Sequence, residues 1–160
     1  MARVFFISDL HFGHKHILKF SPSRGGASVE EHDEILVQKW NSVVTKRDLV
    51  YVLGDVCFSM ERMPLLDQMN GMKKLVRGNH DRFNSGVYLK YFQEIYGFLR
   101  YKGFWISHAP IHPDELRGKG NIHGHVHSAV IPDPRYVSVC VEALDGYPIP
   151  FDKIQEGYEG

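Results

Sequence analysis

Eight residues of this chain can hold a cation or move a proton and stand just after a β-prone run: Asp9 and His11, Asp55, Asn79 and His80, His108, and His125 with His127. Ten histidines are many for a chain of 160 residues, and metal ligation is the first explanation for such an excess. None of these positions carries a thiolate. Imidazole, carboxylate and one amide oxygen suit borderline metals such as manganese, iron, zinc or cobalt, and argue against Cu(I) or an iron–sulfur cluster. So many candidates exceed the needs of one tetrahedral zinc. They match two ions roughly 3.5–4 Å apart that share a carboxylate and clamp a phosphoryl group. The densest stretch is Arg77-Gly78-Asn79-His80-Asp81. There Gly78 is expected to turn the chain through a positive φ, which a residue without Cβ tolerates.

These residues need a frame that brings strand ends together. Arg3 to Ser8, Leu49 to Leu53 and Lys73 to Val76 are short apolar runs suited to buried strands. Between the first two, Ser28 and Glu31 form a capping box that opens a helix from Val29 to Val44. Its core-facing stripe includes Leu36, Trp40 and Val43. A short helix is expected within Ser59 to Gly71, with Pro64 in its first turn. Strand, helix, strand, helix, strand predicts a parallel sheet with right-handed crossovers. Such a sheet gathers the residues after its strands at one edge.

Further along, Ser85 to Tyr96 is expected to be helical, and Phe98 to Tyr101 and Phe104 to Ser107 form a hairpin around Lys102-Gly103. Tyr136 to Val141 is another β-branched run, and the chain from Gly146 onward looks irregular. Phe20 to Ala27 and Ile111 to Asn121 read as loops, the first of them mobile. With no repeat, linker or low-complexity tract, residues 1–160 are expected to form a single domain.

Composition narrows the function classes. Nineteen basic residues balance nineteen acidic ones, so no global field favours DNA or a membrane, and any nucleic-acid contact must be local. Cys57 and Cys140 are isolated and lack the spacing of a disulfide framework. No run approaches the length of a membrane span. A cytoplasmic, membrane-free location is the expectation.

Taken in order, Asp9-x-His11, Gly54-Asp55, Gly78-Asn79-His80-Asp81, His108 and Gly124-His125-x-His127 are similar to the five ordered blocks of the calcineurin-like metallophosphoesterases. The blocks span residues 9–127. The stretches Ile7 to Lys15 and Val141 to Pro148 further resemble the small, cap-less members carried by bacteria and phages. The resemblance implies an α/β fold, an αββα sandwich of two mixed sheets flanked by helices. It implies that Asp9, His11 and His127 hold one metal, that Asn79, His108 and His125 hold the other, and that Asp55 bridges them. His80 would face the substrate as general acid, and Asp81 would orient His80 or its loop. The implied cofactor is two divalent transition-metal ions, manganese first, with iron, zinc, cobalt or nickel as alternatives. The sequence Ala109-Pro110-Ile111-His112 departs from small members, which often carry a bulkier residue after the histidine. That departure bears on pocket shape.

Charge supports an anionic substrate. Two divalent ions bring four positive charges, and Asp9 with Asp55 returns two negative ones. A hydroxide between the ions leaves one, suited to a phosphodiester, and would be the in-line nucleophile. The expected substrate is therefore a small phosphoester or nucleotide, a phosphodiester first, with nucleic acid entering only as substrate. Phosphomonoesters and nucleotide pyrophosphates are the alternatives within enzymes, and a non-catalytic metal-binding scaffold is the alternative outside them.

Other residues have plainer readings. Arg77 is expected to tie loops, His32 to be exposed on its helix, and His123 to be a strand-edge histidine. His14, Lys15 and His16 are either phosphate contacts or a solvated turn. Arg117 and Lys119 either steer phosphates or are merely solvated. Phe12, Phe58 and Phe83 are either core or stacking surfaces for a base.

Overall fold

The computed structural model describes residues 2–158. Its elements are β1 (Val4–Ile7), α1 (Ile17–Phe20), α2 (Val29–Val43), β2 (Leu49–Val52), β3 (Met72–Val76), α3 (Ser85–Tyr88), β4 (Glu94–Tyr96), β5 (Phe98–Tyr101), β6 (Phe104–Ser107), β7 (Gly120–His123), β8 (Tyr136–Ser138), α4 (Val141–Leu144), β9 (Ile149–Pro150) and α5 (Phe151–Gly157). Three 3-10 segments join them: Pro22–Arg24, Met60–Gln68 and Pro113–Glu115.

Two mixed sheets face each other. The first has the order β4-β3-β2-β1-β9, and the second β5-β6-β7-β8. In the first, β1 to β4 run parallel and β9 antiparallel. In the second, β5 opposes β6, while β6, β7 and β8 are parallel. Successive side chains of a strand point to opposite faces. Phe5 and Ile7 therefore join the core beneath α2, and Phe6 joins the core between the sheets.

Helix α2 begins where the sequence predicts. Ser28 Oγ accepts from the Glu31 backbone N–H at 3.1 Å, and Glu30 and Glu31 favour the positive end of the helix. Its Leu36, Val37 and Trp40 pack on the outer face of the first sheet. Between the sheets, Phe6, Tyr51 and Val76 meet Phe104, Ile106 and Ile122. On the outer face of the second sheet lies the segment from Ala109 to Lys119. It is anchored by Trp105 Nε1 donating to Leu116 O at 3.0 Å and by Ile111 N donating to Asn121 Oδ1 at 2.8 Å. The αββα class is as expected, with this outer layer thin.

Four local expectations change. Ser85 to Tyr96 is helical only over α3, because residues 94–96 pair with the open edge of β3, where Lys74 Nζ meets Glu94 Oε1 at 3.1 Å. The C-terminal stretch is not irregular: β9 pairs with β1, and α5 places Phe151 and Ile154 into the inter-sheet core. Phe20 to Ala27 contains a 3-10 turn held by buried Arg24 rather than a free loop. His123 lies on β7, an interior strand, and is buried. Among the described residues, no helix is long and apolar enough to cross a membrane.

Candidate metal centre

The loops after β1, β2, β3, β6 and β7 converge. The first two are laced together by backbone: Asp9 N donates to Gly54 O, His11 N to Asp55 O, both at 3.0 Å, and Phe12 N to Val56 O at 2.9 Å. Eight described non-glycine residues have positive φ, and five belong to this cluster: Asp9 (63°), His11 (54°), Asp55 (53°), His125 (72°) and His127 (54°). Each such conformation costs on the order of 1 kcal/mol or more and persists where surrounding structure enforces it.

The side chains fall into two groups. Ligand atoms of Asp9, His11 and His127 lie within 4.8 Å of one another, as do those of Asp55, His108 and His125. In the first group, Asp9 Oδ1 is 3.5 Å from His11 Nε2 and 3.7 Å from His127 Nε2. In the second, Asn79 Oδ1 is 2.9 Å from His108 Nε2 and 3.2 Å from His125 Nδ1. Asp55 Oδ2 stands between them, 3.3 Å from His108 Nε2 and 3.7 Å from His11 Nε2. All seven candidate ligands are thus brought together.

The residues fit divalent ions. Asp9 Oδ1 and His11 Nε2 are buried and have no hydrogen-bond partner among the described residues. Buried polar atoms without a partner are rare and cost about 1–3 kcal/mol each. A cation between them removes that cost, and an oxygen and nitrogen donor set suits such ions. Ring orientation agrees. His108 Nδ1 is 2.6 Å from Leu53 O, and a carbonyl only accepts, so Nδ1 carries the proton and Nε2 presents its lone pair. His127 Nδ1 is likewise directed to Glu142 Oε2 at 3.0 Å.

Charge is tightly held. Burial raises the Asp9 carboxyl, but the neighbouring His11 imidazole, the His108 charge and hydrogen bonds from Ser8 Oγ and His125 N hold it well below the usual range. Burial disfavours charged His108, yet Asp55 and Asp9 push its pKa up to about 9. Burial lowers His11. The two carboxylates therefore attract positive charge whether it arrives as protons or as metal.

The turn at Gly78 has a different cause from the one the sequence suggests. Its φ lies outside the left-handed region. Glycine is required there by proximity: a Cβ would lie 2.4 Å from Asp55 Oδ1 and 2.6 Å from Asp55 N. Asp81 secures the same junction. Its Oδ2 accepts from Gly78 N at 2.7 Å and Asp55 N at 2.8 Å, and its Oδ1 from Val56 N at 3.0 Å. Asp81 is thereby a loop tie, bonded to backbone rather than to the His80 ring. His80 N donates to Asp55 Oδ1 at 2.9 Å, which fixes His80 in register with the cluster. Its half-buried ring lies 5.2 Å from Phe58 and 6.2 Å from His11, centroid to centroid.

Sequence reasoning missed the support behind the first group. Glu142 Oε2 accepts from His127, from Arg24 Nε at 2.9 Å and from Ser21 Oγ at 2.8 Å. Burial raises the Glu142 carboxyl, but His127 and Arg24 outweigh it and bring it to about 2. Arg24 also donates to Asp9 O at 2.6 Å and Leu10 O at 3.0 Å, and lies 3.2 Å from His32 Nε2. His32, expected to be exposed, is fully buried, with Nδ1 2.8 Å from Asp33 Oδ1. Two signals were present. Glu142 follows β8 much as the ligands follow their strands, and His32 shares the α2 face of Leu36 and Trp40 at intervals of four.

The remaining candidates sort cleanly. Arg77 ties loops, donating to Asp81 O at 2.9 Å, to Ser85 Oγ at 3.2 Å and to Phe83 O. Phe12 is core, and Phe83 packs against it. Phe58 stacks on His14 with centroids 4.4 Å apart and planes 4° from parallel. Burial, then the charges of His11, His16 and His80, lowers His14 to about 4. Lys15 and His16 are exposed. Burial raises Cys57 to about 11 and Cys140 to about 12, so both thiols are inert.

A sequence profile of calcineurin-like phosphoesterases matches residues 2–136, and the chain belongs to this family of metal-dependent phosphoester hydrolases. It is 33% identical to an uncharacterized protein of Methanocaldococcus jannaschii, over 96% of this chain and 90% of that one. It is 30% identical to the gene 66 protein of Mycobacterium phage D29, over 98% and 96% of the two chains. A solved protein of unknown function from Aquifex aeolicus superposes with a TM-score of 0.77 at 28% identity, covering 98% of this chain and 99% of its own. The Pseudomonas putida nuclease MPE shares the fold, with a TM-score of 0.55 and 22% identity over 78% of this chain and 62% of its own. The phage relatives fit the small, cap-less branch of the family.

Proposed function

We propose that the protein is a cytoplasmic phosphodiesterase that hydrolyses nucleotides or simple phosphodiesters with two divalent ions, manganese first among them. The observation that carries the reading is Asp55 Oδ2 standing between His11 Nε2 and His108 Nε2, at 3.7 and 3.3 Å, beside the partnerless atoms of Asp9 and His11. Asp9, His11 and His127 would hold one ion, Asn79, His108 and His125 the other, and Asp55 both. Bound there, the ions would supply a water acidic enough to attack phosphorus and neutralise charge on the phosphoryl oxygens.

The chain's own residues do the rest. With both ions bound, Asp9 and Asp55 would leave the cluster positive, because Asn79 contributes an uncharged amide oxygen in place of a third carboxylate. That residual charge would suit an anionic diester. His80 presents its imidazole beside the cluster, where it donates a proton to the departing oxygen. Asp81 holds the Asp55 and Gly78 loops, and so the spacing between His80 and the bridge. Glu142 holds the ring of His127.

The test is an add-back assay. Metal-stripped protein receives manganese, zinc, iron, cobalt or nickel, and turnover of a mono- and a bis-nitrophenyl phosphate is compared. Metal-dependent cleavage with the diester faster supports the proposal. A faster monoester would assign the site to phosphomonoesters, and no turnover of either with any metal would favour a binding scaffold.

A further inference from the structure

Beside the second group opens a groove of about 830 Å³ that begins at Asn79 and His108 and crosses the outer face of the second sheet. The volume lies within the range of about 300–1,000 Å³ common for ligand sites. Its floor is apolar and aromatic: Phe98 and Trp105 with Ile111. Phe98 is 60% exposed and sits 5.8 Å from Trp105, centroid to centroid. Strand pairing makes this surface, because Arg100 lies directly opposite Trp105, and Phe98 two residues from Arg100 shares its face. The Trp105 indole N–H is already satisfied by Leu116 O at 3.0 Å, so what the groove offers of Trp105 is its ring.

The rim is basic. Arg100, Arg117 and Lys119 join Arg77 there, against Glu115 as the acidic residue. Arg77 is engaged with its own loop, and Arg117 Nη2 lies 3.4 Å from Glu115 Oε2 in an exposed pair that contributes little. The Arg100 guanidinium lies 5.6 Å from the Trp105 ring centroid. A chain whose charges balance overall thus concentrates cations around an exposed aromatic floor next to its metal-ligand cluster. Aromatic faces hold bases by stacking, arginine adds cation–π attraction, and cations hold phosphates.

A second depression flanks the cluster on the His80 side, formed by Cys57, Phe58, Arg82 and Phe83 with His80. It shares no lining residue with the groove. A diester has two ester arms. The departing oxygen must lie near the proton donor His80, so the other arm extends past Asn79 and His108.

Resting on the phosphodiesterase reading above, we propose that this groove is a nucleoside subsite. It binds the nucleoside on the ester oxygen that stays with phosphorus, stacking the base on Trp105 and Phe98 and neutralising neighbouring phosphate with Arg100, Arg117 and Lys119. In the reaction a water oxygen forms the new P–O bond and the P–O bond on the His80 side breaks. The departing oxygen takes a proton, and the nucleoside monophosphate remains in the groove.

Three manganese-loaded assays with one chromophore test this: the nitrophenyl phosphodiesters of thymidine, methanol and hexanol. Stacking of one base is worth about 1–3 kcal/mol, so kcat/KM for the thymidine ester should exceed that for the methyl ester by roughly five- to 150-fold, mostly through KM. Trp105→Leu should bring that ratio to within about twofold of one. Arg100→Ala, which removes the exposed guanidinium beside the Trp105 ring and with it the cation–π attraction to a stacked base, should lower it several-fold, so the result does not hang on how Trp105→Leu folds. Equal kcat/KM for thymidine and methyl esters, with both hydrolysed, would overturn the subsite and leave the phosphodiesterase reading standing. A hexyl ester as good as the thymidine ester would make the groove a general apolar surface and also overturn it. Failure to cleave any of the three would remove the parent reading itself.

Discussion

Gly78→Ala perturbs the site through one methyl group. The φ of Gly78 lies outside the left-handed region, so alanine can adopt the backbone and the effect is steric. The new Cβ would sit 2.4 Å from Asp55 Oδ1, whereas ordinary contact begins at 3.4 Å, so the bridge must retreat by about 1 Å. It cannot retreat freely, because Asp55 N is held by Asp81 and its Oδ1 by His80 N, at 2.8 and 2.9 Å. Overpacking of this kind costs about 1–3 kcal/mol of stability. A displacement of about 1 Å at a reacting centre costs on the order of 10²-fold in rate. Metal content by mass spectrometry and turnover of a nitrophenyl diester give the readout. The expected result is a folded protein with less than full metal occupancy and about 10²-fold slower turnover. Gly86→Ala, where an added Cβ meets nothing within 4 Å, is the control and should behave as the parent. A Gly78→Ala protein with full metal content and turnover within threefold of the parent would refute the claim that backbone proximity sets the position of Asp55.

His80→Ala should keep both metals and lose about 10²–10⁴-fold in turnover of diesters with poor leaving groups, with a smaller loss for nitrophenol, which needs no proton; loss of metal instead would make His80 a ligand. Glu142→Gln removes the charge that holds His127 and Arg24, and metal affinity measured by calorimetry should fall about 10–100-fold; unchanged affinity would show that the His127 ring is held without it. In the metal-free protein the Asp55–His108 pair raises the His108 pKa from 6.5 to about 9. A raised folded pKa means its stabilisation is complete below pH 6.5 and is lost as pH climbs through 9. The urea midpoint of metal-free protein should therefore fall across that window, and a flat profile would contradict the pairing.

The candidate ligands were legible because each is a distinctive side chain immediately after a strand, and strand periodicity is local in sequence. Parallel pairing of β1, β2 and β3 then converts local position into convergence. What stayed hidden depends on distance along the chain. Glu142 meets Arg24 across 118 positions, and nothing local in either residue declares the other. His32 was legible in principle, since it continues the stripe of Leu36 and Trp40, but a polar side chain on a helix reads as solvated unless its partner is known. Residues 94–96 were misassigned because an open sheet edge outweighed weak helix propensity, a tertiary effect. Gly78 was singled out correctly for the wrong cause: the approach of Asp55, rather than a left-handed turn, excludes a side chain.

The claim on which everything else depends is that Asp55 joins two metal sites. Crystals of manganese-loaded protein, measured for anomalous scattering at the manganese edge, test it directly. Two peaks are expected roughly 3.5–4 Å apart, one beside Asp9, His11 and His127, the other beside Asn79, His108 and His125, with Asp55 touching both. A single peak, or two peaks with Asp55 bound to one alone, would contradict it.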